Sequence, residues 1–430
     1  MPAGAPSPAK ARVRKVALAT DCSGMETPVM ALQNLGVPVN HVFSCDIDHN
    51  AKKTIMANFP PKAWYDDLTA RSNRSAPKSD LYVAGFPCQP FSMAGLHQGF
   101  RDARGRGTIF FKVRDYIVRQ KPSAFVLENV SGLLRIQGGK YFEDIMASLR
   151  SLREYNVQAK LLNTRDHGVP QNRLRIYFIG IKKSVDRGTF EFPEALTPVS
   201  IERFLQARRG RPKASALPPR SQGTARDNVV RALKELQAKG RDPFLEPWVV
   251  DCDSTRKRMA YFFNHTPCMT CGRADGHWIT NRGRRMNKTE MLRLQGMPTP
   301  SEGFKVVVSE RALGRQVGNA MSCNVLERLF VSLLPAARLA RAGSLVDRWA
   351  AKARSLEKAA AVAGKDGSAR RSARTAAANS TRPNVSPLLP LSTSSKSGGV
   401  SRAAAPAPVG TKRRAAKPAS APAPKKLRKA

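Results

Sequence analysis

The stretch VALATDCSGMETPVMALQNLG (residues 16–36) contains the two patterns that decide the fold. The apolar run VALAT (16–20) predicts a buried strand, and TPVMALQNLG (27–36) carries apolar residues at helical spacing. Gly24 lies in the turn between them. A strand that passes through a glycine turn into a helix is typical of nucleotide-binding α/β units, although one glycine alone is a weak signal.

The same alternation of strand and helix continues along the chain. Further strands are predicted at HVFSCDI (41–47), LYVAGF (81–86), AFVLENV (124–130) and RIYFIGI (175–181). Helices are predicted at TIFFKVRDYIVRQ (108–120), YFEDIMASLRSLRE (141–154) and NVVRALKELQAKG (228–240). This order predicts an α/β fold with a mostly parallel sheet that helices cover on both faces.

Changes in composition divide the chain into five predicted parts. The pattern of strands and helices weakens after about residue 185, returns near residue 286, and gives way to a basic chain rich in Ala, Ser and Pro after residue 340. The predicted parts are a flexible N-terminus (1–14), a main α/β domain (15–185), a small loop-rich lobe (186–285), a return segment (286–340) and a mostly disordered basic tail (341–430).

Charge and cysteine content limit the possible functions. The 430 residues carry a net charge of +41, which favours a polyanionic partner such as nucleic acid over a merely soluble basic surface. Seven cysteines without regular spacing indicate a reducing compartment rather than a disulfide framework. The sequence has neither a secretory signal nor an apolar run of the roughly 20 residues that a membrane span requires. A soluble intracellular protein is therefore expected, with no membrane partner.

A cysteine in GFPCQPFS (85–92) follows a predicted strand in a turn stiffened by Gly85, Pro87 and Pro90. Such a frame holds the Cys88 thiol in place, although a cysteine in a loop is more often only a small apolar residue. An acid ends the next strand, in LENV (127–130), and two arginines stand on alternate positions of QNRLR (171–175). A thiol, a carboxyl group and an arginine at neighbouring strand ends suggest nucleophilic catalysis with proton transfer.

Acidic residues end two other strands. Asp46 and Asp48 lie in FSCDID (43–48), and Asp66 and Asp67 lie in YDDLT (65–69). An acid at the end of the second strand of such a fold commonly binds a ribose. Each acidic loop alone is more simply a solvated surface, but together with the first turn they predict an adenosine site.

Several motifs occur in the order found in the cytosine-5 DNA methyltransferase family, which this chain resembles. GFPCQPFS resembles the nucleophile loop of the family, and LENVSGLL and NTRDHGVPQNRLRIYFIG resemble the next two motifs. TEMLRLQGMP and RQVGNAMSCNV are similar to the last two. The resemblance covers nearly all of residues 16–335 except about 186–265. It implies a Rossmann-like fold that binds S-adenosylmethionine, with residues 186–285 as the target-recognition lobe.

The resemblance implies a role for each matched residue. Cys88 would attack carbon 6 of a flipped-out cytosine, Glu128 would protonate ring nitrogen 3, Arg175 would bind the base carbonyl, and Arg173 would shape the pocket. Asp46 would hold the ribose of S-adenosylmethionine, while Ile47 and Asp67 would contact its adenine. Further cofactor contacts are expected from Gly24, Leu68, Pro87, Asn319 and Ala320, and further substrate contacts from Gln89, Ser92, Asn129 and Gln171.

The first loop departs from the family pattern, which has an aromatic residue followed by Gly-x-Gly-Gly. Cys22 stands in the aromatic position, and Glu26 and Thr27 replace the later glycines. A glutamate there would repel a cofactor carboxylate, or would instead point at the cofactor's amino or sulfonium group. The altered first loop is therefore expected to change the affinity for S-adenosylmethionine.

The lobe and the tail carry basic clusters and one possible metal site. RRGRPK (208–213) and NRGRRMNK (281–288) are expected to contact DNA phosphates. The spacing of His265, Cys268, Cys271 and His277 is a weak zinc candidate, because the family's lead-in to the LRLQG helix accounts for the same stretch without a metal. The clusters Lys412–Arg414 and Lys425–Lys429 predict a bipartite nuclear localisation signal, or alternatively a non-specific nucleic-acid arm.

These observations favour a DNA (cytosine-5) methyltransferase that acts as a monomer on double-stranded DNA. The protein is expected in the nucleus, which it would enter through the nuclear import machinery. One alternative is a tRNA cytosine-5 methyltransferase of the same fold, although the Cys-Phe-Thr signature usual in that subfamily is absent between Lys183 and Met297. The other alternative is a catalytically silent DNA-binding homologue. Binding of S-adenosylmethionine would separate that reading from an enzyme.

Overall fold

A seven-stranded sheet forms the centre of the molecule in the computed structural model, which describes residues 15–87 and 109–359. Its strands follow the order β3-β2-β1-β4-β5-β7-β6, and all neighbours are parallel except β7, which runs antiparallel to both β5 and β6. The strands are β1 (Val16–Asp21), β2 (Val39–Cys45), β3 (Ala63–Tyr65), β4 (Leu81–Ala84), β5 (Ala124–Val130), β6 (Tyr155–Asn163) and β7 (Leu174–Lys182). The predicted α/β fold with a mostly parallel sheet is confirmed.

Helices cover both faces of this sheet because its central strands are apolar on both sides. In β5, Val126 belongs to one core cluster, while Phe125 and Leu127 belong to the other. Helices α1 and α8 contribute to the first cluster, and α3 and α4 to the second. The helices are α1 (Thr27–Asn34), α2 (His49–Asn58), α3 (Ile109–Gln120), α4 (Lys140–Arg150), α5 (Gly223–Ala238), α6 (Lys288–Arg293), α7 (Glu310–Asn319) and α8 (Cys323–Ala336).

A second, four-stranded antiparallel sheet lies within the stretch predicted to be a loop-rich lobe. Its order is β11-β10-β8-β9, formed by β8 (Trp248–Val250), β9 (Tyr261–Phe263), β10 (Trp278–Ile279) and β11 (Arg284–Arg285). Helix α5 packs on this sheet through a separate core cluster that includes Val229 and Trp278. The lobe therefore has a small hydrophobic core of its own.

Within the lobe, the chain returns once to the large sheet beside the start of β7. Thr266 forms an isolated parallel bridge with Gln171. Its amide donates to the carbonyl of Pro170 at 2.8 Å, and its carbonyl accepts from the amide of Asn172 at 2.8 Å. The lobe is thus attached, between β9 and β10, to the chain that leads into β7 by backbone hydrogen bonds.

The described chain keeps its contacts beyond residue 341, where the basic tail was predicted to begin. Residues 348–359 are helical, and Trp349 is only 9% exposed. The indole of Trp349 donates to Glu327 of α8 at 2.9 Å, and Arg328 pairs with Asp347 at 2.8 Å. The segment packs on the domain because the large apolar side chain of Trp349 is removed from water in the main core cluster.

Within residues 15–87 and 109–359, none of the helices combines the length and the apolarity that crossing a lipid bilayer would require.

Candidate active site

A cavity opens at the carboxyl ends of β1, β4 and β5. In α/β folds this edge of the sheet is where ligands usually bind. The cavity walls include residues 22–24 of the first loop, Gly85 after β4, Glu128 of β5, and Asn319 and Ala320 at the end of α7. Three predicted cofactor contacts, Gly24, Asn319 and Ala320, therefore meet in one cavity.

The first loop is held against the end of β2. Cys22, Gly24 and Glu26 all have positive φ angles, of 52°, 58° and 57°. The amide of Gly24 donates to Asp46 Oδ2 at 2.8 Å, and the amide of Ser23 donates to the carbonyl of Cys45 at 3.1 Å. These bonds fix a tight turn although only one of the three residues with positive φ is a glycine.

Glu26 lies inside the fold and is not part of the cavity wall. Its side chain is fully buried, and its Oε1 accepts hydrogen bonds from Thr20 Oγ1 and Ser44 Oγ, both at 2.5 Å. His41 Nε2 lies 3.4 Å from the same oxygen. The carboxylate therefore joins β1 to β2. From this position it would neither repel the carboxylate of the cofactor nor attract its amino or sulfonium group.

The predicted adenosine contacts are not among the residues of the cavity wall, although Asp46 adjoins it through its hydrogen bond with Gly24. Asp46 Oδ1 accepts from the amide of Asp48 at 2.9 Å, and burial raises the pKa of Asp46. Ile47 is 83% exposed, so its side chain is open to contact with a ligand. Asp67 accepts from the amide of Thr69 at 2.7 Å, whereas Leu68 is 4% exposed and packs in the core.

The acid and the arginine of the proposed chemistry form an ion pair. Glu128 of β5 is opposite Tyr177 of β7, and Val130 is opposite Arg175, so the acid and the arginine share one face of the sheet. Arg175 Nε lies 3.0 Å from Glu128 Oε1. Burial raises the pKa of Glu128, although Arg175 and Arg173 oppose this effect. A carboxyl group in this environment can hold a proton and give it to a bound base.

Arg173 is almost completely buried, at 1% exposure, and binds backbone carbonyls. Its Nη1 donates to the carbonyls of Met269 at 2.8 Å and Gly318 at 3.1 Å, and its Nη2 donates to that of Ala320 at 2.6 Å. Arg173 is not among the residues of the cavity wall. Its guanidinium thus connects the lobe with the end of α7.

Two predicted substrate contacts are fully buried. Asn129 accepts from the amide of Val130 at 2.8 Å, and Gln171 donates to the carbonyl of Leu294 at 2.7 Å. The predicted residues Cys88, Gln89 and Ser92 lie outside the described residues. Pro87, directly before Cys88, is half-buried next to Phe86, which is 2% exposed.

The four side chains of the zinc candidate have separate environments. His265 Nδ1 lies 2.9 Å from the carbonyl of Phe263, and Cys271 is exposed. His277 is buried beside Asp251, and Cys268 Sγ lies 3.6 Å from Arg173 Nη1. In the described ranges, three or more His, Cys, Asp or Glu side chains never come together in a group able to hold a metal ion.

Sequence reasoning missed a buried cluster beneath the first loop. Both guanidinium nitrogens Nη1 and Nη2 of Arg71 lie 2.7 Å from the carboxylate oxygens of Asp21, and Tyr82 donates to Asp21 at 2.5 Å. The Arg71 guanidinium also lies 4.5 Å from the ring centroid of Phe43. Arg71 belongs to an irregular loop without a recognisable motif, so the pattern of the sequence contains no signal for this pair.

The chain is similar to a family of DNA-modifying enzymes and to several bacterial methyltransferases. Residues 18–334 match the model of the family described as C-5 cytosine-specific DNA methylase. The Type II methyltransferase M.NgoBI of Neisseria gonorrhoeae is 31% identical over 309 residues, which cover 71% of this chain and 90% of that protein. The Type II methyltransferase M.HpaII of Haemophilus parainfluenzae is 31% identical over 306 residues, covering 69% and 83%.

Solved structures share the fold at lower identity. The Entamoeba histolytica methyltransferase EhMeth superposes with a TM-score of 0.52 at 17% identity, covering 75% of this chain and 98% of that one. Spodoptera frugiperda DNMT2 superposes with a TM-score of 0.51 at 17% identity, covering 74% and 100%. This likeness concerns the fold alone.

The predicted nuclear location is wrong. The curated relatives described above come from bacteria, as do M.HaeII of Haemophilus aegyptius and M.NlaX of Neisseria lactamica, and bacterial cells have no nucleus. The basic clusters of the tail suggested an import signal, but clustered Lys and Arg residues bind many kinds of polyanion. Their charge therefore does not specify an import receptor.

Proposed function

Because the chain belongs to the C-5 cytosine-specific DNA methylase family, we propose that it is a DNA (cytosine-5-)-methyltransferase that works through a covalent bond between Cys88 and a flipped-out cytosine. The observation that carries this proposal is the Glu128–Arg175 pair, 3.0 Å apart. Glu128 shares its cavity with Gly85, three residues before Cys88. A proton donor, a cationic group and Gly85, which begins the stretch of sequence that contains Cys88, thus lie at one edge of the sheet.

Each of the three side chains has a defined task in the proposed mechanism. Cys88 Sγ, as the thiolate, bonds to carbon 6 of the cytosine while Glu128 gives its proton to ring nitrogen 3, so that electron density moves to carbon 5. Arg175 binds the base carbonyl oxygen and stabilises the charge that develops there. Once carbon 5 carries the methyl group, a base would remove the proton from carbon 5, the bond to Cys88 would break to release the thiolate, and the proton on nitrogen 3 would return to Glu128.

The cavity and its surroundings are suited to S-adenosylmethionine, which would supply the methyl group to carbon 5. The cavity lies at the carboxyl ends of the strands, where α/β folds usually bind such ligands. Asp46 would bind the ribose, exposed Ile47 would cover one face of the adenine, and Asp67 would meet the adenine amino group. Gly24, Pro87, Asn319 and Ala320 would complete the site.

The lobe is the proposed DNA-reading part of the molecule. Residues 208–211 and Lys213 of the RRGRPK stretch are exposed and carry several positive charges. Such residues bind phosphates whatever the base sequence is, so they would supply affinity and orientation rather than specificity. This assignment follows the predicted boundaries of the lobe, 186–285.

Covalent trapping tests the proposal directly. Purified protein is incubated with tritiated S-adenosylmethionine and duplex DNA that contains 5-fluorocytosine, because the fluorine blocks release of Cys88. We expect a labelled complex that survives denaturation with the wild type and with Cys271→Ala, an exposed-cysteine control, and none with Cys88→Ala. A labelled complex in Cys88→Ala would refute the mechanism.

The same assay with tRNA separates the other readings. Trapping on tRNA but not on DNA would assign the enzyme to RNA. Trapping on neither substrate, with no binding of S-adenosylmethionine in calorimetry, would identify a silent DNA-binding protein. For an active enzyme, bisulfite sequencing of methylated DNA then identifies the target site.

A further inference from the structure

Part of the lobe packs directly on the backbone of α7. We call residues 268–274 the exit segment, because they follow Thr266, where the lobe first returns to the large sheet before β10 and β11 complete its own small sheet. A Cβ atom added at Gly318 would lie closer than 3.0 Å to the backbone of Thr270, and one added at Gly314 would lie equally close to the carbonyl of Ala274. Neither glycine has a positive φ angle, so backbone conformation does not require glycine at these two positions. The close approach of the exit segment requires it, because a side chain would not fit.

One buried guanidinium binds both sides of this contact. Arg173 donates to Met269 in the exit segment and to Gly318 and Ala320 at the end of α7. A buried cation loses its hydration, so these carbonyls must replace the lost hydrogen bonds with water. Movement of the exit segment without α7 would break part of this set.

Two glutamines strengthen the same connection. Gln171 Oε1 accepts from the amide of Met269 at 3.1 Å, and Gln171 Nε2 donates to Gln295 Oε1 at 2.8 Å. Gln295 Nε2 in turn donates to the carbonyls of Val317 at 2.8 Å and Ala320 at 3.2 Å. The exit segment and the end of α7 are therefore held by one continuous buried network.

We propose that Arg173 couples the two ligand sites of the protein, so that DNA held by the lobe and cofactor held in the cavity each tighten the binding of the other. This rests on the proposed function, which assigns DNA to the lobe and the cofactor to the cavity. Asn319 and Ala320 line the cavity, so a shift of the exit segment reaches the cofactor site through α7. Close-packed backbone transmits such a shift because little space is left to absorb it. Arg173 acts here as a positioning residue.

Calorimetry measures this coupling. The dissociation constant of S-adenosylhomocysteine is determined with and without a duplex that carries the methylated site. For the wild type we expect about tenfold tighter binding with DNA, within the usual range of coupling between sites. For Arg173→Gln we expect less than about a twofold change, because a neutral amide cannot replace the three donated bonds. Arg173→Lys should recover part of the coupling.

The control is Arg241→Ala. Arg241 pairs with Glu246 at 2.9 Å and its guanidinium lies 5.5 Å from the ring centroid of Phe263, so it stabilises the lobe without reaching α7. This variant should lower the melting temperature yet keep the wild-type coupling. If Arg173→Gln does not fold, Gly318→Ala provides the second test, because its Cβ forces the exit segment away from α7.

The outcomes separate the two proposals. No methylation of DNA by the wild type would refute the proposed function and, with it, the coupling. Normal methylation with no effect of DNA on wild-type cofactor binding would refute the coupling alone. So would an unchanged coupling factor in folded Arg173→Gln or Gly318→Ala.

Discussion

In the proposed mechanism, the carboxyl group of Glu128 acts only while it carries a proton, and burial favours the protonated form. Its raised pKa means that the neutral form persists to higher pH than in an exposed glutamate. The same shift stabilises the fold at low pH, and this contribution is lost as the pH rises through the raised pKa. Activity and stability therefore change in the same direction with the ionisation of this group.

We predict that the turnover rate falls as pH rises through the pKa of Glu128. Glu128→Gln should be slower by about 10²–10⁴-fold, and its rate should lose this pH dependence, because an amide cannot donate the proton. Single-turnover methylation over a pH series measures both effects. Glu154→Gln is the control, since Glu154 is an exposed acid paired with Lys121. A Glu128→Gln profile that matched the wild type would contradict the assigned role.

Glu26 is predicted to stabilise the fold rather than to repel the cofactor. Glu26→Ala removes the acceptor of Thr20 and Ser44 and should cost about 1–3 kcal/mol of unfolding free energy. Glu26→Gly loses the same bonds but should cost about 1 kcal/mol less than Ala, because φ is 57°. Denaturant unfolding of both variants measures these differences. A gain in cofactor affinity with unchanged stability would contradict this explanation.

At the residue scale, residue patterns alone predicted only the groups at strand ends, whereas Asn319 and Ala320 were predicted from the family resemblance. Glu128 and Arg175 could be paired because both lie at the ends of predicted neighbouring strands. The contacts of Arg173 could not be foreseen, since its partners Met269 and Ala320 are far away in the sequence. Side chains that bind distant backbone carbonyls leave no local pattern.

At the scale of elements, the central strands were predicted and the edge strands were not. Strand β6 at one edge and β3 at the other are absent from the prediction, as is α2. The YNVQAKLLN sequence of β6 alternates apolar and polar residues, and its residues alternate between more exposed and less exposed. This period-two signal was present but weaker than the continuous apolar runs of β4 and β5.

The segment after α8 is predicted to be part of the folded domain. A chain ending at residue 340 should have a lower melting temperature than one ending at residue 359, because it lacks Trp349 and leaves buried Glu327 without its indole partner. Trp349→Ala alone should cost about 3 kcal/mol or more. Differential scanning calorimetry compares the three proteins. Equal melting temperatures for the two truncations would show that the segment contributes nothing.

At the scale of the whole molecule, charge is distributed unevenly. Residues 360–430 contain 15 Lys and Arg residues and one acidic residue. We predict that removing them weakens binding to non-target DNA and lowers its dependence on salt, because fewer counterions are released. Fluorescence anisotropy across a salt series measures the slope, with the chain ending at residue 359 compared with the full chain. Identical slopes would exclude the tail from DNA binding.

The sequence could predict the class of fold and the family because motifs and alternating elements extend along most of the chain. It could not predict the four-stranded sheet of the lobe, whose strands have only two or three residues each. Such short strands are defined by their partners rather than by periodicity. The nuclear location was predicted wrongly because clusters of Lys and Arg indicate affinity for polyanions and do not specify a cellular compartment.

The bridge between Gln171 and Thr266 has a consequence for how such proteins diversify. The chain departs after β7 and is returned at Thr266 beside the start of the same strand by backbone hydrogen bonds, which any amino acid except proline can make on both sides. The loops between β7 and Thr266 can therefore be lengthened, shortened or replaced while β8 keeps its pairing with β10, and Glu128 and Arg175 keep their register. Under the proposed function, selection for a new target site can act on these loops and leave the bond-making residues unchanged.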